Sequence, residues 1–136
     1  MTRKEIMENE TLGKAMNYDV YEGKEHREVI KPWGKYITSY RGSGFLVKTI
    51  VVQPGHRLSL QRHRWRDEHW YIVEGSAYVF KNNSWYTLYS SDSINIPKGV
   101  WHRVENIQQT PLIFVEVQTG NCFEDDIERK EDDYGR

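Results

Sequence analysis

Short runs of β-branched and aromatic residues, separated by Gly, Pro, Asn and Ser, fill the chain from Trp33 onward. Such runs are typical of β-strands, and the residues between them are typical of turns. The pattern predicts nine strands, at residues 36–40, 45–53, 58–63, 69–74, 77–81, 85–88, 93–96, 102–105 and 112–118. Because no convincing helix interrupts them, we expect an all-β protein, a sandwich closed into a small jelly-roll barrel.

The size and charge of the chain limit the number of domains and the classes of partner that it can have. With 136 residues, of which 38% are hydrophobic, the chain is long enough for one domain with a core and too short for two. Its 19 basic and 20 acidic residues give a net charge of -1, which provides no field that would attract nucleic acid or an anionic membrane. Since no apolar run approaches the ~18 residues of a membrane helix and no signal peptide is evident, we expect a cytoplasmic protein.

Four residues have the types and the spacing of a metal site. Side chains at i and i+2 share one face of a strand, so Gln61 and His63 point the same way, and a tight turn lets Glu68 face them. His102 follows a Pro-x-Gly turn on a later strand. A single buried histidine is more often hydrogen-bonded than metal-bound, but the four residues together favour a metal. Their mixed nitrogen and oxygen donors suit Zn²⁺, with Co²⁺ and Mn²⁺ as alternatives.

The same alternation predicts which other polar side chains line the barrel. If His63 faces the lumen, Arg57 does so as well, and is then a cation inside the barrel. On the last long strand Glu116 and Gln118 share a face, opposite a face of apolar residues. Polar residues inside a barrel usually line a site, because leaving a buried polar group unpaired costs about 1 to 3 kcal/mol.

The metal-ligand residues lie in two motifs that resemble those of the cupin superfamily. The first motif reads Gly55, five residues, Gln61, one residue, His63, four residues, Glu68, six residues, Gly75. Gln61 stands where the first histidine of that motif is usual. The second motif runs from Pro97 to Asn106 and includes His102, with Ser91 in place of its first glycine.

A more specific resemblance, to the type II mannose-6-phosphate isomerase domain, extends from Lys31 to Arg136. It is carried by Pro32-Trp33-Gly34-Lys35-Tyr36 and by residues 54–61, 66–70, 96–99, 102–106, 116–118 and 124–136. In that family the domain is usually the C-terminal part of a bifunctional enzyme whose larger part is a mannose-1-phosphate guanylyltransferase. No Gly-rich nucleotide-binding loop occurs here, so we expect a stand-alone cupin domain at 31–136. Residues 1–30 are expected to form an N-terminal arm, and 124–133 an acidic tail that the resemblance implies folds over the barrel.

The resemblance implies a metal-dependent interconversion of mannose 6-phosphate and fructose 6-phosphate through a cis-enediol. This reaction feeds GDP-mannose and surface polysaccharide synthesis. The metal ligands implied are Gln61, His63, Glu68 and His102. We expect catalytic roles for Arg66, His69 and Glu116, of which His69 and Glu116 are both open as the general base. The substrate-binding candidates are Lys48, Arg57 and Gln118, with Arg66 as a further candidate for the phosphate.

Two other functions stay open at this stage. One is a different metal-dependent cupin enzyme, acting on a related sugar phosphate or as a dioxygenase. The other is a non-catalytic sugar-binding cupin. In each case we expect a small-molecule sugar or sugar phosphate as the ligand, and neither nucleic acid nor a membrane as the partner. We also expect a homodimer, because exposed edge strands favour pairing between copies of a chain.

Overall fold

The structure, a computed structural model, describes residues 23–136 and confirms the all-β class. Eleven strands run through this part of the chain. They are β1 (Gly23–Lys31), β2 (Gly34–Gly42), β3 (Phe45–Val52), β4 (Leu60–Arg62), β5 (Arg66–Glu74), β6 (Ala77–Lys81), β7 (Ser84–Leu88), β8 (Ser93–Ile96), β9 (His102–Glu105), β10 (Leu112–Gly120) and β11 (Glu128–Glu131). None of the described residues forms a helix with the length and hydrophobicity that a membrane crossing requires.

The strands form two antiparallel sheets that share one hydrophobic core. The six-stranded sheet has the order β1-β2-β3-β10-β5-β8, and the five-stranded sheet has the order β11-β4-β9-β6-β7. Trp70 and Phe114 of the larger sheet and Val79 and Val104 of the smaller one belong to the same buried cluster. The expected jelly-roll barrel is therefore confirmed.

The inward-facing residues of the long strands change from apolar to polar along the barrel. On β10 the buried positions are Leu112, Phe114, Glu116 and Gln118, in that order. Strand β5 runs antiparallel to β10 and places Glu68 directly opposite Gln118. One end of the barrel is thus an apolar core, and the other end is lined by buried polar side chains.

Strand β1 was not predicted, because its sequence is mostly polar. Among residues 23–136 it pairs only with β2 and lies at the edge of the six-stranded sheet, so most of its side chains are exposed or half-buried. Exposure of this kind removes the apolar alternation by which sequence patterns indicate strands. Residues 23–30, which were expected in the N-terminal arm, are thus part of the sheet. Residues 1–22 of the expected arm lie outside the described residues.

Strand β11 was also not predicted, because it lies in the acidic tail. It pairs with β4, with Arg129 opposite Gln61. The acidic residues of the tail form ion pairs with cations of the barrel: Lys48 with Glu124 (3.1 Å), Arg62 with Glu128 (2.9 Å), Arg103 with Glu131 (3.1 Å) and Arg57 with Asp133 (2.7 Å). The tail therefore folds over the open end of the barrel, as the resemblance implied.

Two motif positions have the backbone conformation that favours glycine. Gly75 has φ of 84°, and a Cβ there would lie 2.8 Å from the carbonyl oxygen of Pro111. Ser91, which replaces the first glycine of the second motif, has φ of 75°. A serine in this left-handed region is strained.

Candidate metal centre and its cavity

Both sheets contribute to the candidate metal centre. Gln61 on β4 and His102 on β9 are cross-strand partners, and His63 follows directly after β4. Glu68 lies on β5 of the other sheet. His63, Glu68 and His102 are almost completely buried, so the group lies inside the barrel at its polar end.

The four side chains lie close enough together to share one ion. Each of His63, Glu68 and His102 offers one ligand atom within 4.8 Å of the other two. His63 Nε2 is 3.1 Å from Glu68 Oε2, and His102 Nε2 is 3.9 Å from Glu68 Oε1. The amide nitrogen of Gln61 lies 3.4 Å from His63 Nε2, and its amide oxygen accepts a hydrogen bond from Ser59 at 2.7 Å. A half-turn of the amide would exchange the two atoms and direct the oxygen to the site. Three predicted ligands therefore converge, and Gln61 adjoins them.

Hydrogen bonds to the backbone set the tautomer of both histidines. His63 Nδ1 lies 2.7 Å from the carbonyl oxygen of Asp126, and His102 Nδ1 lies 2.9 Å from that of Val100. A carbonyl oxygen only accepts hydrogen bonds, so each Nδ1 must carry the proton. Each Nε2 is then directed toward Glu68, where it can hold either a proton or a metal ion. Metal-binding histidines are commonly held in this way.

The charge states of Glu68 and His102 also suit a metal. Burial lowers the pKa of His102 to about 4, although Glu68 opposes this change, so His102 is neutral at pH 7. Burial raises the pKa of Glu68, but the hydrogen bond and charge of His63 and the charge of Arg66 outweigh it and hold the pKa well below its usual range. The site thus combines the ionised carboxylate of Glu68 with the neutral imidazole of His102.

One atom of this group lacks a partner. Within residues 23–136, the buried Nε2 of His102 has no hydrogen bond. Buried polar atoms are rarely left in this state, and lone pairs that face a carboxylate repel it unless a proton or cation lies between them. The residues present therefore fit a divalent cation with nitrogen and oxygen ligands.

Arg66 holds Glu68 in place. Its Nε donates to Glu68 Oε2 at 2.9 Å, and one terminal nitrogen forms an ion pair with the same oxygen at 2.9 Å. Its other terminal nitrogen donates to the carbonyl oxygen of Phe123 at 3.1 Å. Trp70 Nε1 donates to the second carboxylate oxygen of Glu68 at 3.0 Å. Both oxygens of Glu68 are thus oriented by buried donors.

A small, partly open cavity of about 90 Å³ adjoins the metal centre. Lys48, Arg66 and Glu116 line it, together with Gln61 and Glu68. The Lys48 ammonium lies 3.1 Å from Glu124 Oε1 and 3.9 Å from the centre of the Tyr36 ring.

Glu116 is the carboxyl group of the cavity whose negative charge is least offset by nearby cations. Gln118 donates a hydrogen bond of 2.6 Å to it. Burial, followed by the negative charge of Glu68, raises the pKa of Glu116, and Lys48 and Arg66 offset only part of this rise. The pKa of Glu116 is therefore shifted in the direction of neutral pH.

A wider, open depression of about 630 Å³ lies on the other side of the tail. Trp65, Lys98 and Phe123 line it, and it reaches His63. Ile127 borders both spaces. The tail thus lies between the small cavity and the wider depression.

Eight of the ten predicted site residues are brought together at the polar end of the barrel: Lys48, Gln61, His63, Arg66, Glu68, His102, Glu116 and Gln118. Arg57 and His69 are not among them.

Arg57 lies outside the cavity, contrary to the expectation of a cation in the lumen. Its side chain pairs with Asp133 at 2.7 Å and approaches Glu105 at 3.9 Å. Strand β4 begins only at Leu60, so strict alternation does not extend back to residue 57. The next residue, Leu58, packs against the core.

His69 lies on the outer face of β5. Its neighbours Glu68 and Trp70 are buried, whereas His69 is exposed and hydrogen-bonded to Asn95. Because adjacent residues of a strand point to opposite faces, Glu68 and His69 cannot both face the lumen. The alternation rule, applied to this pair, would have excluded His69 from the cavity.

Several functional candidates were missed. Tyr36, Lys31, Glu124, Arg129 and Arg136 all line the cavity. Three of them, Glu124, Arg129 and Arg136, lie in the C-terminal segment 124–136. The only sequence signal for them was the resemblance of the tail to the family.

The fold and the site together define a cupin. The chain superimposes on a solved RmlC-like cupin from Shewanella frigidimarina with a TM-score of 0.64 and 19% identity, covering 71% of this chain and 86% of that one. It also superimposes on the capsular polysaccharide assembling protein CapF from Staphylococcus aureus, with a TM-score of 0.68 and 16% identity, covering 79% and 34% of the two chains. These likenesses show the fold alone.

Within the cupins, the chain belongs to the family described as mannose-6-phosphate isomerase C-terminal, whose model matches residues 18–132. It is 47% identical over 112 residues to the xanthan biosynthesis protein XanB of Xanthomonas campestris pv. campestris, covering 82% of this chain and 24% of that protein. It is 45% identical over 117 residues to the mannose-1-phosphate guanylyltransferase ManC of Salmonella typhimurium, covering 85% and 24%. The chain thus matches about a quarter of the length of these relatives.

Proposed function

We propose that this chain is a metal-dependent aldose–ketose isomerase that interconverts mannose 6-phosphate and fructose 6-phosphate. The observation that carries the proposal is the convergence of His63, Glu68 and His102 beside a buried cavity that also holds Arg66 and Glu116. Membership of the family supports it. Its similarity to a xanthan biosynthesis protein and to a mannose-1-phosphate guanylyltransferase supports a role in supplying mannose for GDP-mannose and polysaccharide synthesis.

The metal would be held by His63, Glu68 and His102, with the amide oxygen of Gln61 as a fourth donor. Mixed nitrogen and oxygen donors favour Zn²⁺, with Co²⁺ or Mn²⁺ as alternatives. When bound, such an ion supplies Lewis acidity that stabilises the negative charge on the oxygens of a cis-enediol.

Glu116 is our candidate for the general base. In the open-chain aldose it takes the proton from C2 and returns a proton to C1, while a second proton passes from O2 to O1. Its position in the cavity and its raised pKa support this role, because a base works best with a pKa near the working pH. Arg66 keeps Glu68 ionised and oriented.

The test combines metal removal with turnover of mannose 6-phosphate. We expect the purified chain to form fructose 6-phosphate, to lose this activity on chelation and to regain it when Zn²⁺, Co²⁺ or Mn²⁺ is added. Glu116→Gln should lower kcat by about a hundredfold or more while metal content stays the same. The matched control Glu105→Gln, at a half-buried position outside the cavity, should keep full activity.

Other outcomes of this test identify the alternatives. A protein that binds metal and consumes oxygen is a cupin dioxygenase. One that isomerises a different sugar phosphate keeps the proposed chemistry but has another substrate. One that binds a sugar phosphate without turnover is a binding protein.

We also propose a homodimer, as edge strands favour pairing. Tyr71 and Val73 are 46% and 45% exposed on the outer face of β5, an apolar surface that a second copy would cover. Light scattering during size-exclusion chromatography should give twice the mass of 16.2 kDa. A single species at the monomer mass would reject the dimer.

A further inference from the structure

Three cations border the cavity on the side of the tail. Lys31 ends β1, Arg129 lies on β11, and Arg136 is the last residue of the chain. Arg129 faces inward, since it is half-buried while Glu128 and Lys130 on either side are exposed. Asp132 holds Arg136 through two hydrogen bonds of 3.0 and 3.1 Å.

The charges around the cavity do not balance. Five basic residues line it, against three carboxylates: Lys31, Lys48, Arg66, Arg129 and Arg136 against Glu68, Glu116 and Glu124. Lys48 is paired with Glu124, and Arg66 is paired with Glu68. The positive excess therefore lies at Lys31 and Arg129.

Neither of these two cations is neutralised within residues 23–136. No ion pair there joins Lys31 or Arg129 to a carboxylate, and the buried Nε of Arg129 has no hydrogen-bond partner. Burial and the nearby charges of Arg136 and Arg129 lower the pKa of Lys31. Like charges gathered at a partly buried site repel one another, and a bound anion would relieve that repulsion.

We propose that Lys31, Arg129 and Arg136 bind the phosphate group of the sugar phosphate. This inference rests on the proposed function. Arginine suits phosphate because its planar guanidinium donates two parallel hydrogen bonds.

The position of Arg129 gives the orientation of the substrate. Arg129 lies opposite Gln61 in the register of β11 and β4, and the same cavity borders both. A phosphate on Arg129 therefore places the other end of the sugar toward Gln61 and Glu68, where the proposed isomerisation occurs. Glu116 borders the same cavity.

The tail must shift for a whole sugar to enter. The cavity of about 90 Å³ is smaller than the roughly 300 to 1,000 Å³ of typical ligand pockets. Outward movement of the tail at Ile127 would join it to the open depression. Since Arg129 and Arg136 belong to the C-terminal segment 124–136 and Lys31 belongs to the barrel, a bound phosphate would hold that segment against the barrel.

The experiment compares Arg129→Gln and Lys31→Gln with the matched control Lys130→Gln. Lys130 is the next residue on β11, but it is exposed and its ammonium lies 5.3 Å from the centre of the Trp101 ring. Calorimetry gives the affinity of each protein for fructose 6-phosphate, fructose and inorganic phosphate. Metal content and melting temperature are measured on the same samples.

We expect Arg129→Gln and Lys31→Gln to weaken binding of fructose 6-phosphate by about ten- to a hundredfold. Binding of inorganic phosphate should weaken in the same direction, while metal content is unchanged and Lys130→Gln behaves as the wild type. Without ligand, Arg129→Gln should melt at the same or a higher temperature, because an unpaired buried cation has been removed. Equal affinity of all four proteins for fructose 6-phosphate, or a lower melting temperature of Arg129→Gln with unchanged affinity, would overturn the proposal.

These outcomes separate the phosphate site from the proposed reaction. If the wild type does not isomerise mannose 6-phosphate, but Arg129→Gln selectively loses affinity for phosphorylated ligands, the phosphate site stands and the proposed activity fails. If the wild type isomerises and Arg129→Gln has an unchanged affinity, the activity stands and the phosphate site fails.

Discussion

Gln61 and His102 lie directly opposite each other on the antiparallel strands β4 and β9. This pairing brings a residue of the first motif and a residue of the second to the same point. Together with His63 and Glu68 they make one buried group with neutral imidazole nitrogen and an ionised carboxylate.

We therefore expect His63→Ala and His102→Ala to abolish metal binding, whereas Gln61→Ala should weaken it less because an amide oxygen is a weaker donor. Metal analysis of the purified variants by mass spectrometry measures this directly. His69→Ala is the matched control, since His69 is exposed on the opposite face of β5. Full metal occupancy of both His63→Ala and His102→Ala would reject the site.

Replacing Gln61 by histidine tests the donor at that position separately. Gln61→His introduces the residue that is usual at this point of the cupin motif, so the variant should retain metal. A change in which ion is bound is expected, because an imidazole nitrogen is a softer ligand than an amide oxygen. Competition between Zn²⁺ and Mn²⁺ measures it, and a variant without metal would contradict the assigned position of Gln61 in the site.

Arg66 and Arg57 should respond differently to replacement by lysine. Arg66 donates a hydrogen bond to Glu68 and forms an ion pair with it, so Arg66→Lys should weaken metal affinity about ten- to a hundredfold and lower kcat/KM with it. Arg57 pairs with Asp133 of the tail, so Arg57→Lys should change the melting temperature slightly and leave KM unaltered. Titration of the apoprotein with metal and steady-state kinetics measure both, and equal effects of the two substitutions would contradict this assignment.

Acid should weaken the contacts at the end of the tail. Asp132 accepts hydrogen bonds from Arg136, and these lower the pKa of Asp132 to about 2, below its ordinary value of 3.8. Because this pKa is lower in the folded state than in the unfolded state, the ionised carboxylate stabilises the fold at pH values above the unfolded-state pKa. This contribution is lost as the pH falls from about 4 toward 2. We expect the free energy of unfolding of the wild type to fall across this range more steeply than that of Asp132→Asn. Asp125→Asn, at an exposed position in the tail, is the control and should follow the wild type.

Ser91 offers a test of backbone strain. Its φ of 75° suits glycine, so Ser91→Gly should stabilise the protein by about 1 kcal/mol, less the entropy that glycine loses on folding. Urea unfolding measures the change. The neighbouring Ser90→Gly is the control and should destabilise the protein, since the Ser90 hydroxyl donates a hydrogen bond to the carbonyl oxygen of Val73. A less stable Ser91→Gly would show that the left-handed conformation carries little strain.

The sequence alone predicted the features that depend on local pattern. The strands Ala77–Lys81, Ser93–Ile96 and His102–Glu105 have the bounds that their alternation and flanking turns indicated. The all-β class, the cupin fold and the family were likewise accessible, because motif spacing and side-chain alternation are properties of short, uninterrupted stretches.

Only the tertiary structure decided which charges reach the cavity. Arg57 was expected inside the barrel and pairs with the tail instead, while Arg129 was not among the predicted site residues and lies opposite Gln61 at the cavity. Alternation predicts a side chain's direction only within one regular strand, and Arg57 precedes the start of β4. Whether an acidic segment is solvated or docked depends on cations far away in the sequence, since Glu124 and Asp133 find Lys48 and Arg57 only after the barrel has closed.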